Sequence, residues 1–110
     1  MNEYTPDKFT IVKITQPDGL RYKVFGSWAG GYLYGDSWRL NSGIERHEID
    51  GDYINFIGGS GSVYRCYIQS EGVTGYTGSV LSEMIEQVNN TDEMNVEVIT
   101  LEEYLDNVKK

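Results

Sequence analysis

One histidine and one cysteine are the side chains of this sequence best suited to general-base or nucleophilic chemistry. A general base needs an ordered partner and a pocket. On a strand, His47 shares a face with Glu45 and Ile49, and Glu48 points the other way. Because this spacing does not single out a partner, we interpret His47 as a half-exposed strand residue.

Cys66 alternates with Tyr64 and Ile68 along a predicted strand. A reactive thiol needs an electropositive and partly open setting, whereas this pattern is typical of a small buried side chain. The sequence therefore predicts no catalytic residue at either position. One histidine and one cysteine also cannot form a structural zinc site of the usual kind, so we expect no metal and no cofactor.

Two glycine-containing loops each resemble part of a known ligand-binding motif, one for phosphate and one for calcium. Residues 58–62 (GGSGS) contain no lysine and join two predicted strands, whereas a phosphate-binding loop precedes a helix and supplies a lysine. Residues 50–52 (DGD) lack the further ligand spacing of a calcium loop. We interpret the first as a hairpin tip and the second as a turn.

Aromatic side chains are concentrated in residues 26–38, where four of them lie among glycines. Such side chains on glycine-flanked backbone can fill a partner's pocket, or they can belong to the core of a small sheet. For Trp28 and Trp38 we favour the core. For Tyr32 and Tyr34 both interpretations stay open. The candidate partner-binding set is Trp28, Tyr32, Tyr34 and Asp36.

Composition limits the function classes. The 110 residues carry a formal charge of −8 with 39% hydrophobic residues, which is typical of a folded acidic protein. The low pI argues against direct binding to nucleic acid. No apolar run reaches the ~20 residues that cross a bilayer, and the N-terminus lacks a signal-peptide pattern, so we expect a cytoplasmic protein.

The distribution of residues predicts a single α+β domain over residues 1–110. Twelve of the thirteen glycines fall in residues 1–75, which we predict to be mainly β, whereas residues 76–110 carry a charge of −6 and read as helical. Alternating apolar residues and turn residues predict an antiparallel meander of about five or six strands. The same pattern is compatible with a meander coiled into a partly open barrel. The predicted strands are residues 9–15, 20–25, 38–40, 44–49, 53–57 and 63–68.

A packed helix over residues 79–89, a short strand and a C-terminal helix follow. Ser79 is the predicted cap of the first helix, and Thr100 with Glu103 fits a capping box for the second. The first helix should cover the sheet with Val80, Leu81, Met84, Ile85 and Val88. The predicted core comprises Ile11, Tyr22, Val24, Trp38, Leu40, Ile54, Phe56, Tyr64, Cys66 and Ile68.

Three motifs resemble a known group of proteins. They are W-x-L-x-S-G-I at residues 38–44, D-G-D-Y at residues 50–53 and S-G-S-V-Y at residues 60–64. Within roughly residues 22–88 the sequence resembles small uncharacterised accessory proteins encoded by phages of marine cyanobacteria. The resemblance implies a viral protein in a bacterial host cytoplasm. Such proteins have no established activity, so it implies no catalytic residue.

Three functional hypotheses remain at this point. The first is a non-enzymatic protein that binds a host or phage protein, with a homodimer through a sheet edge as a further expectation. The second is an acidic mimic of nucleic acid, built from Glu83, Glu86, Glu102, Glu103 and Asp106, that inhibits a DNA- or RNA-binding protein. The third is a small enzyme using carboxylates such as Asp36, Glu45, Glu48 and Asp52.

Overall fold

The structure, a computed structural model, describes residues 2–30, 35–90 and 93–109. In these ranges the strands are β1 (Glu3–Tyr4), β2 (Lys8–Gln16), β3 (Gly19–Trp28), β4 (Ser37–Leu40), β5 (Ile44–Asp50), β6 (Tyr53–Gly58), β7 (Val63–Tyr67) and β8 (Asn95–Ile99). The helices are α1 (Gly75–Asn89) and α2 (Leu101–Val108), and a 3-10 turn spans Ile68–Ser70. Neither described helix combines the length and apolar character that spanning a bilayer requires.

Within the described ranges, the strands form two four-stranded sheets in the orders β1-β7-β6-β5 and β4-β3-β2-β8. We call them the first and second sheet. All neighbours are antiparallel except β1 and β7. The predicted α+β fold with a β-meander, a packed helix and a short C-terminal strand and helix is confirmed, and the sheets stay open rather than closing into a barrel.

The hairpin predicted across residues 58–62 is confirmed, and the predicted strands 9–15 and 20–25 pair as a hairpin too. Strands β2 and β3 pair from Lys8–Ser27 to Gln16–Gly19, and β6 and β7 pair across the GGSGS tip. Gly51 takes a φ of +61° in the turn between β5 and β6, a conformation that glycine adopts without strain. Residues 50–52 therefore form the turn that their sequence predicts.

The second sheet is buried on both faces. Ile11 and Val24 face a large core cluster that includes Ile54, Phe56 and Tyr64 of the first sheet. Their neighbours in sequence face the other way, into a smaller cluster under α1 made of Val12, Phe25, Leu81 and Val96. The alternation of β2 and β3 thus supplies two cores, and a prediction based on one apolar face missed Val12 and Phe25.

Six of the predicted core residues are buried, namely Ile11, Val24, Ile54, Phe56, Tyr64 and Cys66. Tyr22, Leu40 and Ile68 are half-buried. The prediction that Trp38 belongs to the core is wrong, because 39% of the residue is exposed. It lies on β4, an edge strand, and its ring stacks on Phe25.

The first helix begins earlier than predicted. Thr74, not Ser79, is the N-cap: its side chain accepts a hydrogen bond from the Thr77 N–H, and the Thr77 hydroxyl receives one from the Thr74 N–H (3.2 and 2.9 Å). Ser79 lies inside the helix and donates to the Gly75 carbonyl at 3.2 Å. The predicted end near residue 89 and the Thr100 cap, which accepts from the Glu103 N–H at 3.0 Å, are confirmed.

Candidate interaction surface

The end of the β3–β4 hairpin carries two tryptophans on opposite faces of the second sheet. Gly26 pairs with Arg39 and Ser27 pairs with Trp38, so Trp28 and Arg39 share one face while Trp38 lies on the other. Residue 28 is the last residue of β3 and residue 38 is the second of β4. Because β4 pairs only with β3 among the described strands, this aromatic region lies at an open edge of the sheet.

Trp28 has mainly a structural role. It is half-buried, packs against the large core cluster and meets the Tyr4 ring edge-on at 6.4 Å. Gly26 makes room for it, because a Cβ there would lie 3.3 Å from the Trp28 ring and 3.1 Å from Pro6. Through its contact with Tyr4, Trp28 therefore anchors β1 to the β3–β4 hairpin.

Arg39 adds a cation beside this aromatic pair. Its guanidinium lies over the Tyr4 ring, 4.7 Å from the centroid, while the residue stays exposed. Tyr4 in turn packs on Tyr64 at 5.0 Å. The cation–π contact holds Arg39 in one orientation and leaves its donors available to solvent.

Trp38 is exposed but not loosely held. Its ring stacks on Phe25 with centroids 5.5 Å apart and planes 13° from parallel. Phe25 is fully buried in the cluster under α1. One face of the indole therefore rests on the core while 39% of the residue stays exposed, so little rotamer entropy remains to be lost when a partner covers it.

The base of the connecting loop is tied to the N-terminal segment. Asp7 accepts a hydrogen bond from the Ala29 N–H at 2.8 Å, and its own N–H donates to the Ser27 carbonyl at 2.9 Å. Gly30 and Gly35 approach so closely that a Cβ on Gly30 would collide with the Gly35 carbonyl. These contacts fix where the loop leaves and re-enters the sheet.

The predicted binding set is only partly visible. Tyr32 and Tyr34 lie outside the described residues. Trp28 and Asp36 are both half-buried and flank them. The sequence reasoning left out Trp38 and Arg39. For Arg39, the usable signal was its place in a strand between two bulky apolar residues, which puts it on the opposite face from Trp38.

His47 lies in a small cleft next to α2. Its Nδ1 and the Tyr104 hydroxyl share a hydrogen bond of 3.0 Å, and the two rings meet edge-on at 5.3 Å. Glu45 and Tyr22 also line this cleft of about 260 Å³. Burial, reinforced by Tyr22, raises the pKa of Tyr104 to about 12, so its hydroxyl stays protonated at neutral pH. The histidine thus has a structural partner 57 residues away, which no local motif could indicate.

Cys66 is fully buried, as its strand pattern predicts. Burial raises the pKa of its thiol to about 12, so the thiolate needed for nucleophilic chemistry is disfavoured at neutral pH. The Sγ atom lies 3.8 Å from the Tyr64 carbonyl. Its place in the large core cluster makes it a packing residue.

The carboxylates proposed for an enzyme are distributed around β4 and β5. Asp36 precedes β4, Glu48 forms an ion pair with Arg46, and Asp52 lies in a turn. Among the described residues, none of these three enters the His47 cleft that Glu45 lines. No group of three or more histidine, cysteine or carboxylate side chains within the described ranges is placed to hold a metal ion.

Two of the three motifs behind the phage-protein resemblance, residues 38–44 and 60–64, meet where the chain passes from the second sheet to the first, whereas residues 50–53 form the β5–β6 turn at the other end of those strands. The Ser42 and Ser60 hydroxyls lie 3.3 Å apart, and the Gly59 N–H donates to the Gly43 carbonyl at 3.3 Å. Buried Asn41 pairs with Val24 through its side chain and its backbone (2.8 and 3.0 Å). These motif residues therefore connect the β4–β5 turn to the β6–β7 tip, which is a structural task.

Comparison with known proteins returns no matching family model, no matching curated protein and no matching solved structure.

Proposed function

We propose that this protein is a non-enzymatic binding module that recognises another protein through the open β4 edge of the second sheet, with Trp38 on one face of that edge, Arg39 on the other, and the neighbouring residues of the 26–38 segment. We call this the Trp38 surface. The observation that carries the proposal is the Trp38 indole, 39% exposed and stacked on the fully buried Phe25. Tryptophan, tyrosine and arginine are the residue types that dominate binding energy at protein interfaces.

Preorganisation supports this proposal. Trp38 is fixed from below by Phe25, and Arg39 is oriented by Tyr4 on the opposite face of β4. An edge strand also offers backbone donors and acceptors that a partner can use. The proposal extends to Tyr32 and Tyr34, which the sequence places between Trp28 and Asp36.

The partner we propose is a host or phage protein in a bacterial cytoplasm. The sequence motifs that resemble cyanobacterial phage proteins support this setting. Neither buried Cys66 nor Tyr104-bound His47 offers an exposed reactive group at the Trp38 surface.

Affinity capture from a cyanobacterial lysate tests the proposal. Wild type, Trp38→Ala and Tyr76→Ala are compared, where Tyr76 is a matched control because it is aromatic, 58% exposed and located on α1. We expect a specific protein that wild type and Tyr76→Ala retain and that Trp38→Ala loses. A Tyr32→Ala/Tyr34→Ala double variant should lose it as well. Equal recovery by Trp38→Ala and wild type would remove this surface from the account.

A further inference from the structure

A second surface lies at the opposite edge of the second sheet, between β8 and the N-terminal half of α1. Here the structure has a groove of about 880 Å³. Thr10, Val73, Leu81 and Val98 contribute to its lining, and Glu83 and Glu86 contribute from α1. Both glutamates are exposed. We call this the β8 groove.

On the outer edge of β8, the backbone groups of Val96 are hydrogen-bonded, whereas those of Val98 are unpaired among the described residues. The Val96 N–H donates to Asn89 Oδ1 at 2.8 Å, and Asn89 Nδ2 donates to the Val96 carbonyl at 2.9 Å. Backbone groups alternate direction along a strand, so those of Val98 point to the same side as those of Val96. They have no partner among the described residues.

The side chains at this position are also incompletely covered. Val96 and Val98 share a face, but α1 buries Val96 to 8% exposure and leaves Val98 at 48%. Thr10, Val73 and Leu81 line the groove beside Val98. The groove therefore combines an unpaired strand edge with an apolar wall.

We propose that the β8 groove binds an extended, basic peptide segment of a partner protein, which adds a strand next to Val98. Strand addition uses main-chain hydrogen bonds for affinity and pockets for alternate side chains for selectivity. An apolar side chain would cover Val98 and Leu81, and a lysine or arginine would reach Glu83 and Glu86. The formal charge of −8 favours a basic partner further.

Charge also argues against a second copy of this chain as the occupant. Pairing two β8 edges would bring the glutamates of one copy toward those of the other, and like charges across an interface are unfavourable. The β8 groove is separate from the Trp38 surface, because β4 and β8 are the two outer strands of the second sheet. The inference therefore stands whether or not the Trp38 surface binds a protein.

Binding of a synthetic peptide tests the inference. The probe is a seven-residue peptide of alternating lysine and valine, and its control has glutamate in place of each lysine. Titration into the isotope-labelled protein, followed by amide NMR, should shift the Val98 signal with the lysine peptide and not with the glutamate peptide. Trp38→Ala should bind the lysine peptide as wild type does, which separates this result from the proposed function.

Val98→Pro and Val98→Thr form a matched pair of variants. Proline removes the outward N–H and is tolerated on an edge strand, whereas threonine keeps the N–H and the branched shape. We expect Val98→Pro to weaken lysine-peptide binding about tenfold relative to Val98→Thr, the scale of one lost hydrogen bond. Equal affinity for the two variants would overturn strand addition.

A second pair of changes keeps the test decisive if the proline variant fails to fold. Glu83→Gln/Glu86→Gln keeps the shape of the groove and removes its charge, so binding at low salt should fall severalfold and lose most of its salt dependence. No binding of the lysine peptide to wild type, or equal binding of both peptides, would overturn the proposal. A wild-type dimer that Val98→Pro dissociates, with no peptide bound, would assign the groove to a second copy instead.

Discussion

At the scale of single residues, the Trp38 ring contributes less to stability than a buried aromatic ring does. Because 39% of the residue is exposed and one ring face rests on Phe25, Trp38→Ala should lower the free energy of unfolding by roughly 1–2 kcal/mol. Phe56→Ala, in the centre of the large core cluster, should cost about 3–5 kcal/mol. Denaturant unfolding of both variants measures the difference.

Because Trp38→Ala should remain folded, a loss of binding in this variant can be attributed to the missing indole. If burial had placed Trp38 in the core, its loss would cost as much as that of Phe56. A Trp38→Ala variant less stable than Phe56→Ala would therefore contradict the exposure described for this residue.

The buried Cys66 thiol and Tyr104 hydroxyl make the free energy of unfolding depend on pH in the alkaline range. Burial raises the pKa of Cys66 and of Tyr104 to about 12, from ordinary values of 9.0 and 10.0. Between pH 9 and 12 the unfolded chain loses these protons before the folded chain does, so stability falls as pH rises through this window. Below pH 9 their contribution should be constant.

Tyr104→Phe isolates the tyrosine part of this effect. The variant lacks the buried hydroxyl, so it should lose less stability than wild type when the pH is raised from 8 to 11, although it starts lower because the His47 hydrogen bond is gone. Exposed Tyr76→Phe is the control and should follow wild type. The measurement is urea unfolding at the two pH values, and an unchanged alkaline loss in Tyr104→Phe would argue against a buried hydroxyl.

At the scale of secondary-structure elements, the N-cap of α1 distinguishes the structure from the sequence expectation. Thr74→Ala removes the acceptor for the Thr77 N–H and should cost about 1 kcal/mol. Ser79→Ala removes only a hydroxyl inside the helix and should change stability by less than about 0.5 kcal/mol. Thermal unfolding of this pair checks the assignment, and the opposite order would restore the helix start at Ser79.

The elements that the sequence predicts well are those with local causes. Turn residues fix the β2–β3 and β6–β7 hairpins, and apolar spacing fixes both helices. The start of α1 was missed because Gly75 and Gly78 weaken the helical signal of its first turns. The Thr74–Thr77 pair has the spacing of a capping box, but threonine is not the usual third residue of that motif.

At the scale of the whole molecule, the division of one predicted meander into two sheets decides which residues are available for binding. Sequence alternation places Trp38 and Leu40 on the same face, and both resemble core residues. Whether such a residue is buried depends on how far α1 extends over that face, which is a tertiary property. The same reasoning applies to Val98, which alternates like Val96 yet lies beyond the cover of α1.

The two proposed surfaces lie at the two outer strands of one sheet and differ in chemistry. The Trp38 surface presents an aromatic ring and an arginine, whereas the β8 groove presents an open strand edge and two glutamates. Composition predicts neither arrangement, because the acidic residues of α1 and the tryptophan of β4 come together with their neighbours only in the folded chain. Their separation allows each to be tested with the other intact.

Site-specific photo-crosslinking tests the central claim, that the Trp38 surface binds a protein, most directly. Trp38→benzoylphenylalanine keeps an aromatic group at the site, and Tyr76→benzoylphenylalanine places the same group at an exposed position on α1. In lysate, the account predicts a discrete crosslinked protein from position 38 and not from position 76, and excess wild type should compete while Trp38→Ala should not. The same crosslinked proteins from both positions, or a product that excess wild type fails to suppress, would contradict it.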